Sequence, residues 1–104
     1  MTRVFKVERP EYANVSVAVV PSAASADLLV YRNDQAISQA NAEPIWSFVK
    51  SRINAHLAVY FVPPDRGGAQ LRIAYVNNPT LAGWMRHHKL KDRLSRRYPE
   101  KIMA

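Results

Sequence analysis

A short pattern recurs along nearly the whole chain: a small residue, usually Ala, then a polar residue, then a brief apolar run. Copies read Ala13-Asn14 before Val15, Ala26-Asp27 before Leu28, Ala55-His56 before Leu57 and Ala69-Gln70 before Leu71; the series closes at Ala82-Gly83-Trp84. These copies lie 13 or 14 residues apart, except Ala26 and Ala55, which are 29 apart with Ala40 between them. A unit this short cannot bury its own apolar face, so neighbouring copies must be packed together into one core. The pattern therefore constrains architecture strongly and is silent on activity.

The apolar runs read as strands at 3–7, 15–20, 28–32, 45–49, 57–62 and 71–76, rich in Val, Ile, Leu, Tyr and Phe. Leu57 to Val62 is apolar at every position, as in strands covered on both faces. Leu71 to Val76 alternates instead, with Arg72, Ala74 and Val76 opposite Leu71, Ile73 and Tyr75. The links are long for tight hairpins, and no Asn-Gly or Asp-Gly pair closes them. They are short for helical crossovers. The expectation is compact turns that carry the chain across its neighbours, with Ser22, Asp34 and Asn78-Pro79 each capping a single helical turn. Ala13, Ala26, Ala40, Ala55, Ala69 and Ala82 are expected to be buried where the links pack against other segments. One link, from Tyr31 through Gln39-Ala40 to Pro44, is stretched, and Pro63-Pro64-Asp65-Arg66-Gly67-Gly68 is a strong turn signal.

After Trp84 the period changes. Leu90, Leu94 and Tyr98 fall at helical spacing and Pro99 follows, so the pattern predicts a C-terminal helix over residues 84–97. The expected fold is one small domain, mainly β, with short strands joined by compact crossing links over 1–83 and a basic C-terminal helix and tail over 84–104 packed on it.

The order and spacing of Val4-Phe5-Lys6-Val7, Ala26-Asp27, the stretched Gln39-Ala40 to Trp46 unit, Val59-Tyr60-Phe61-Val62 and Ala82-Gly83-Trp84 resemble the septoil-knot family. That is a family of small bacterial proteins of unknown function, and the resemblance covers residues 3–90. It implies a β-rich domain whose backbone is tied in a deep seven-crossing knot. The link at Pro63 to Gly68, and Glu43-Pro44 where Gly is usual, depart from the family's pattern. Without the resemblance, the residues lead to an unknotted β-sandwich or barrel.

Several chemistries find no support. The chain of 104 residues has no Cys, which removes disulfides, thiolate catalysis and Cys-based zinc sites. No nucleophile elbow, phosphate-binding Gly loop or dinucleotide fingerprint is present. His87 and His88 are adjacent, a poor spacing for sharing one metal, and no H-E-x-x-H occurs. No metal, cofactor or catalytic residue is expected. His56 occupies the polar slot after Ala55 and reads as a capping residue. Asp27 occupies the same slot and reads as an acceptor for backbone N–H groups. The apolar run before Ala24-Ser25-Ala26 is too short and too acidic at its start for a leader peptide, and no run is long enough to cross a bilayer. A cytoplasmic location is expected.

Charge is uneven. Residues 86–104 hold seven Lys/Arg against two acids, +5, while residues 1–85 hold eight against six, +2. Arg86, Lys89, Lys91, Arg93, Arg96 and Arg97 are the candidate contacts for a polyanion, either a nucleic acid or an anionic surface; the plainer reading is a solvated face. Two function classes are open: a non-enzymatic binding or structural domain, or a small hydrolase-like enzyme with a site built from links. A cleft gathering Asp27, His56 or Asp65 together favours the enzyme.

Overall fold

The computed structural model describes residues 2–33, 43–91 and 94. Six strands, β1 (Thr2–Lys6), β2 (Val15–Val19), β3 (Leu28–Arg32), β4 (Ile45–Phe48), β5 (Leu57–Phe61) and β6 (Leu71–Val76), pair in parallel in the order β4-β1-β5-β2-β6-β3, and β3 pairs back to β4. The sheet is thus a closed barrel. A short seventh strand, β7 (Gly83–Trp84), pairs antiparallel with Leu28 and Leu29 of β3, beside the point where β4 takes over at Tyr31 and Arg32.

The order has a simple rule. Each step β1 to β2, β2 to β3, β4 to β5 and β5 to β6 skips one strand, always in the same rotational sense; β3 to β4 joins neighbours. Every skipping link must therefore pass over the strand it skips. The β1–β2 link crosses β5, where Ala13 and Val7 pack on Ala58. The β2–β3 link crosses β6, where Ala26 and Val20 pack on Ala74. A small residue in the link meets a small outward residue of the strand, which lets two backbones approach closely.

The links are single 3-10 turns at Pro10–Tyr12, Ala23–Ser25, Arg52–Asn54 and Pro79–Leu81. The Ser22 side chain accepts from the Ala24 N–H (3.2 Å), and Asn78 accepts from Thr80 N–H (3.0 Å), as N-caps should. Each turn is closed by an Ala: Ala13, Ala26, Ala55 and Ala82 each donate N–H back to the first residue of the turn. Ala13, Ala26 and Ala55 are buried, whereas Ala69 and Ala82 are half-buried. Ala40 lies outside the described residues, as does Asp34. Ala26 has no exposed surface, so Ala26→Leu is expected to lower stability by about 1–3 kcal/mol through overpacking. Chemical denaturation measures this, and an unchanged midpoint would show that the crossing has slack.

The barrel interior is filled from alternate positions of every strand, including Val4, Val17, Val30, Trp46, Val59 and Ile73, all fully buried. Leu90 and Leu94 join the same cluster. Burying a Leu completely contributes about 1.5–3 kcal/mol, so the stretch after β7 belongs to the core and is not an appended tail.

That stretch is not the helix expected over 84–97. Gly83–Trp84 form β7, residues 85–91 run as bends and a turn, and no α-helix occurs among the described residues. The cause is competition for the backbone. Leu28 pairs with Trp84, Met85 donates its N–H to Asp27 O (2.8 Å), and Leu90 donates its N–H to His88 Nδ1 (3.1 Å). Groups engaged this way cannot form an i to i−4 ladder. The spacing of Leu90 and Leu94 reported burial, and burial does not require a helix. Arg93, Arg96, Arg97 and Tyr98 lie outside the described residues.

Candidate functional site

The polar residue after the link's small residue has one job in four places. Asn14 donates its N–H to Ala58 O (2.7 Å) and accepts the Ala58 N–H on Oδ1 (2.7 Å). Asp27 does the same with Arg72, N–H to O at 2.7 Å and Oδ2 from N–H at 3.0 Å. His56 clasps Arg3, N–H to O at 2.8 Å and Nδ1 from N–H at 2.9 Å. Gln70 clasps Ser16, with both distances 3.0 Å. Where the chain swings out of the sheet into its link, the side chain replaces the main-chain carbonyl that has left. His56 is thereby fixed as the tautomer with its proton on Nε2, a strand clasp rather than a ligand or a base.

Asp27 alone of the four carries charge to spare, and the basic segment gathers on it. Arg86 Nε lies 3.6 Å from Oδ1, and its guanidinium also donates to Ala24 O (3.0 Å). His88 Nε2 lies 3.7 Å from Oδ2 and 3.1 Å from Gln70 O, with its ring stacked on Trp84 at 5.5 Å between centroids. Burial of Asp27 within this set leaves its carboxylate oxygens occupied by donors.

A cleft of about 290 Å³ opens beside it, lined by Ala18, Asp27, Arg72 and the residues of the β5–β6 link, Pro63, Pro64, Gly67, Gly68 and Ala69. Neither His56 nor Asp65 lines it. Of the candidate polyanion contacts, Arg86, Lys89 and Lys91 are exposed and stand in the described segment; Arg93, Arg96 and Arg97 lie outside it. Arg66 and Arg72, which the sequence reading passed over, are exposed as well. Arg72, alternating with apolar neighbours in β6, read as an ordinary outward strand residue, and Arg66 read as part of a turn. No cluster of three or more His, Asp or Glu fit to hold a metal occurs among the described residues.

Sequence reasoning also missed Glu43. It is buried, and its carboxylate accepts from Trp84 Nε1–H (2.7 Å) and from Leu94 N–H (2.7 Å), while its carbonyl accepts from the Thr2 hydroxyl (2.9 Å). One residue thus ties the first strand, β7 and the final core leucine together. Its partners are 41 to 51 residues away in sequence, so no local signal marks it.

A closed barrel of six parallel strands, wound by links that each vault one strand, is a distinctive architecture. The chain belongs to the 7(1) septoil knot domain family, whose model matches residues 1–85. No curated protein and no solved structure matches it. Among the described residues no helix is long and apolar enough to cross a membrane.

Proposed function

We propose that the domain is a non-enzymatic binding module for phosphate-bearing polyanions, nucleic acid foremost, and that it works in the cytoplasm. The observation that carries this reading is a charge pattern. From Arg66 to Lys91 the chain holds five Lys/Arg (Arg66, Arg72, Arg86, Lys89, Lys91) and no acid, and all five are exposed. Two acids from elsewhere in the chain meet this stretch: Asp27 engages Arg86, and Glu43 accepts from the Trp84 indole. Exposed cations without intervening carboxylates attract phosphates and steer their approach.

A membrane surface suits the segment less well. A segment that seats itself in the membrane interface does so with the free apolar face of an amphipathic helix. Here residues 84–91 form no helix, and Leu90 is already in the core. An enzyme reading gains little from the cleft, because neither His56 nor Asp65 joins Asp27 there and the Asp27 carboxylate already holds the Arg72 N–H and faces Arg86. With no base-reading motif, affinity is expected to come from the backbone and to show little sequence preference.

The test is titration of the full chain with a fluorescent single-stranded oligonucleotide, with anionic vesicles as a parallel arm. Binding is expected at low salt and should weaken by about tenfold to a hundredfold between 50 and 200 mM salt. Replacing Lys89, Lys91 and Arg66 together by Ala should weaken it further without lowering the melting temperature. Absence of binding at low salt, or a triple variant that binds like the parent, would return these residues to a solvated face. Binding to vesicles alone would replace nucleic acid by a lipid surface.

A further inference from the structure

The β5–β6 link is built unlike the others. The three other links that skip a barrel strand, and the β6–β7 link, each contain a 3-10 turn; this one runs Pro63-Pro64-Asp65-Arg66-Gly67-Gly68-Ala69 with none. A local departure from an otherwise regular design is where a special requirement is expected.

Three observations say what that requirement is. Gly67 and Gly68 have φ of +70° and +84°, a conformation that only Gly adopts readily, and a Cβ placed on either would meet nothing within 4 Å. The glycines are therefore not there to relieve crowding inside the protein. They leave bare backbone facing open space. Second, the N–H groups of Gly67, Gly68 and Ala69 make no hydrogen bond among the described residues, although Gly68 O and Arg66 N are both engaged. Third, Arg72, an exposed residue, lines the same cleft; its guanidinium pairs with no acid among the described residues, since it is the Arg72 main chain that clasps Asp27. The cleft thus presents a delocalised cation and three successive unengaged backbone donors. Its one carboxylate, Asp27, is neutralised by Arg86 and holds the Arg72 N–H.

We propose that this cleft is a seat for a single phosphate group, held bidentately by the Arg72 guanidinium and capped by backbone N–H groups of Gly67, Gly68 and Ala69. The inference rests on the polyanion reading for its biological setting: the seat would fix the register of one phosphate while Lys89 and Lys91 meet others.

The two readings separate experimentally. The ¹⁵N-labelled full chain is titrated with inorganic phosphate at low ionic strength, and separately with a short oligonucleotide. Saturable shifts are expected at the amides of Gly67, Gly68 and Ala69. Arg72→Ala should weaken phosphate binding about tenfold or more, and its outward side chain can be removed without touching the backbone clasp. Arg72→Lys should recover only part of the loss, because an ammonium cannot bind bidentately. Lys50→Ala, at an exposed residue outside the cleft, should leave phosphate binding unchanged. Shifts absent from residues 67–69, or an Arg72→Ala chain that binds phosphate like the parent, would overturn the seat. If the oligonucleotide binds while the 67–69 amides stay still, the seat fails and the polyanion reading stands. If phosphate shifts those amides and the oligonucleotide does not bind, the seat stands and the polymer reading fails.

Discussion

Glu43→Ala is expected to be among the most damaging single changes in this chain. It removes the acceptor for the Trp84 indole N–H and for the Leu94 N–H, and both donors are left in partly or fully buried surroundings. An unsatisfied buried donor costs about 1–3 kcal/mol, so the pair costs about 2–6 kcal/mol. Domains of this size have total stabilities of about 5–15 kcal/mol. The melting temperature should fall by roughly 10–30 °C. Leu94 is then free to leave the core, so the exposed apolar surface should rise and a hydrophobic dye should bind at temperatures where the parent does not bind it. Glu43→Gln should fall between: its single carboxamide oxygen serves one donor, and its NH2 faces the other. A Glu43→Ala chain that melts with the parent would show that residues beyond β7 contribute nothing to the fold.

The second large effect is expected at Asp27, and it depends on which replacement is made. Asp27→Leu loses both functions: the Arg72 N–H is orphaned and Arg86 loses its counter-charge. A loss of about 2–4 kcal/mol is expected. Asp27→Asn retains the acceptor, and Asn14 already performs the same clasp with a neutral amide at the equivalent place. That variant should lose no more than about 1 kcal/mol. Hydrogen exchange localises the difference: the Arg72 amide should exchange faster in Asp27→Leu and stay protected in Asp27→Asn. Equal destabilisation by the two would mean that charge, rather than the clasp, is what the position supplies.

Much of the barrel was legible in the sequence because each level pointed the same way. The strands fall within about one residue of the apolar runs, since Val, Ile and Leu at successive positions suit parallel strands covered on both faces. Ala beside a polar residue marked the place where a link closes and its side chain clasps the next strand. Ser22 and Asn78 announced their turns by ordinary capping chemistry. What could not be read was the identity of the partners. Asn14 meets Ala58, Asp27 meets Arg72 and His56 meets Arg3 across 44 to 53 residues, a distance over which one sequence carries no pairing signal. The same limit hid Glu43.

The C-terminal error is instructive for the opposite reason. Leu90 and Leu94 are spaced as on one helical face, and both are buried, yet the chain between Trp84 and Lys91 is not helical. Periodicity reports which residues go inside. It does not report whether neighbouring strands have already claimed the backbone, and here Leu28 and Asp27 have. Of the cations in this segment, Arg86 is held against the barrel at Asp27 rather than displayed along a rod.

The most direct test of this arrangement is the affinity of the full chain for a single-stranded oligonucleotide at low salt, measured for the parent beside Asp27→Asn. Asp27 is a structural acceptor whose charge restrains Arg86. Removing that charge while keeping the clasp should release Arg86 and tighten binding by about twofold to fivefold, with the gain vanishing as salt is raised. Binding that weakens in Asp27→Asn, or that neither chain shows at low salt, would contradict it.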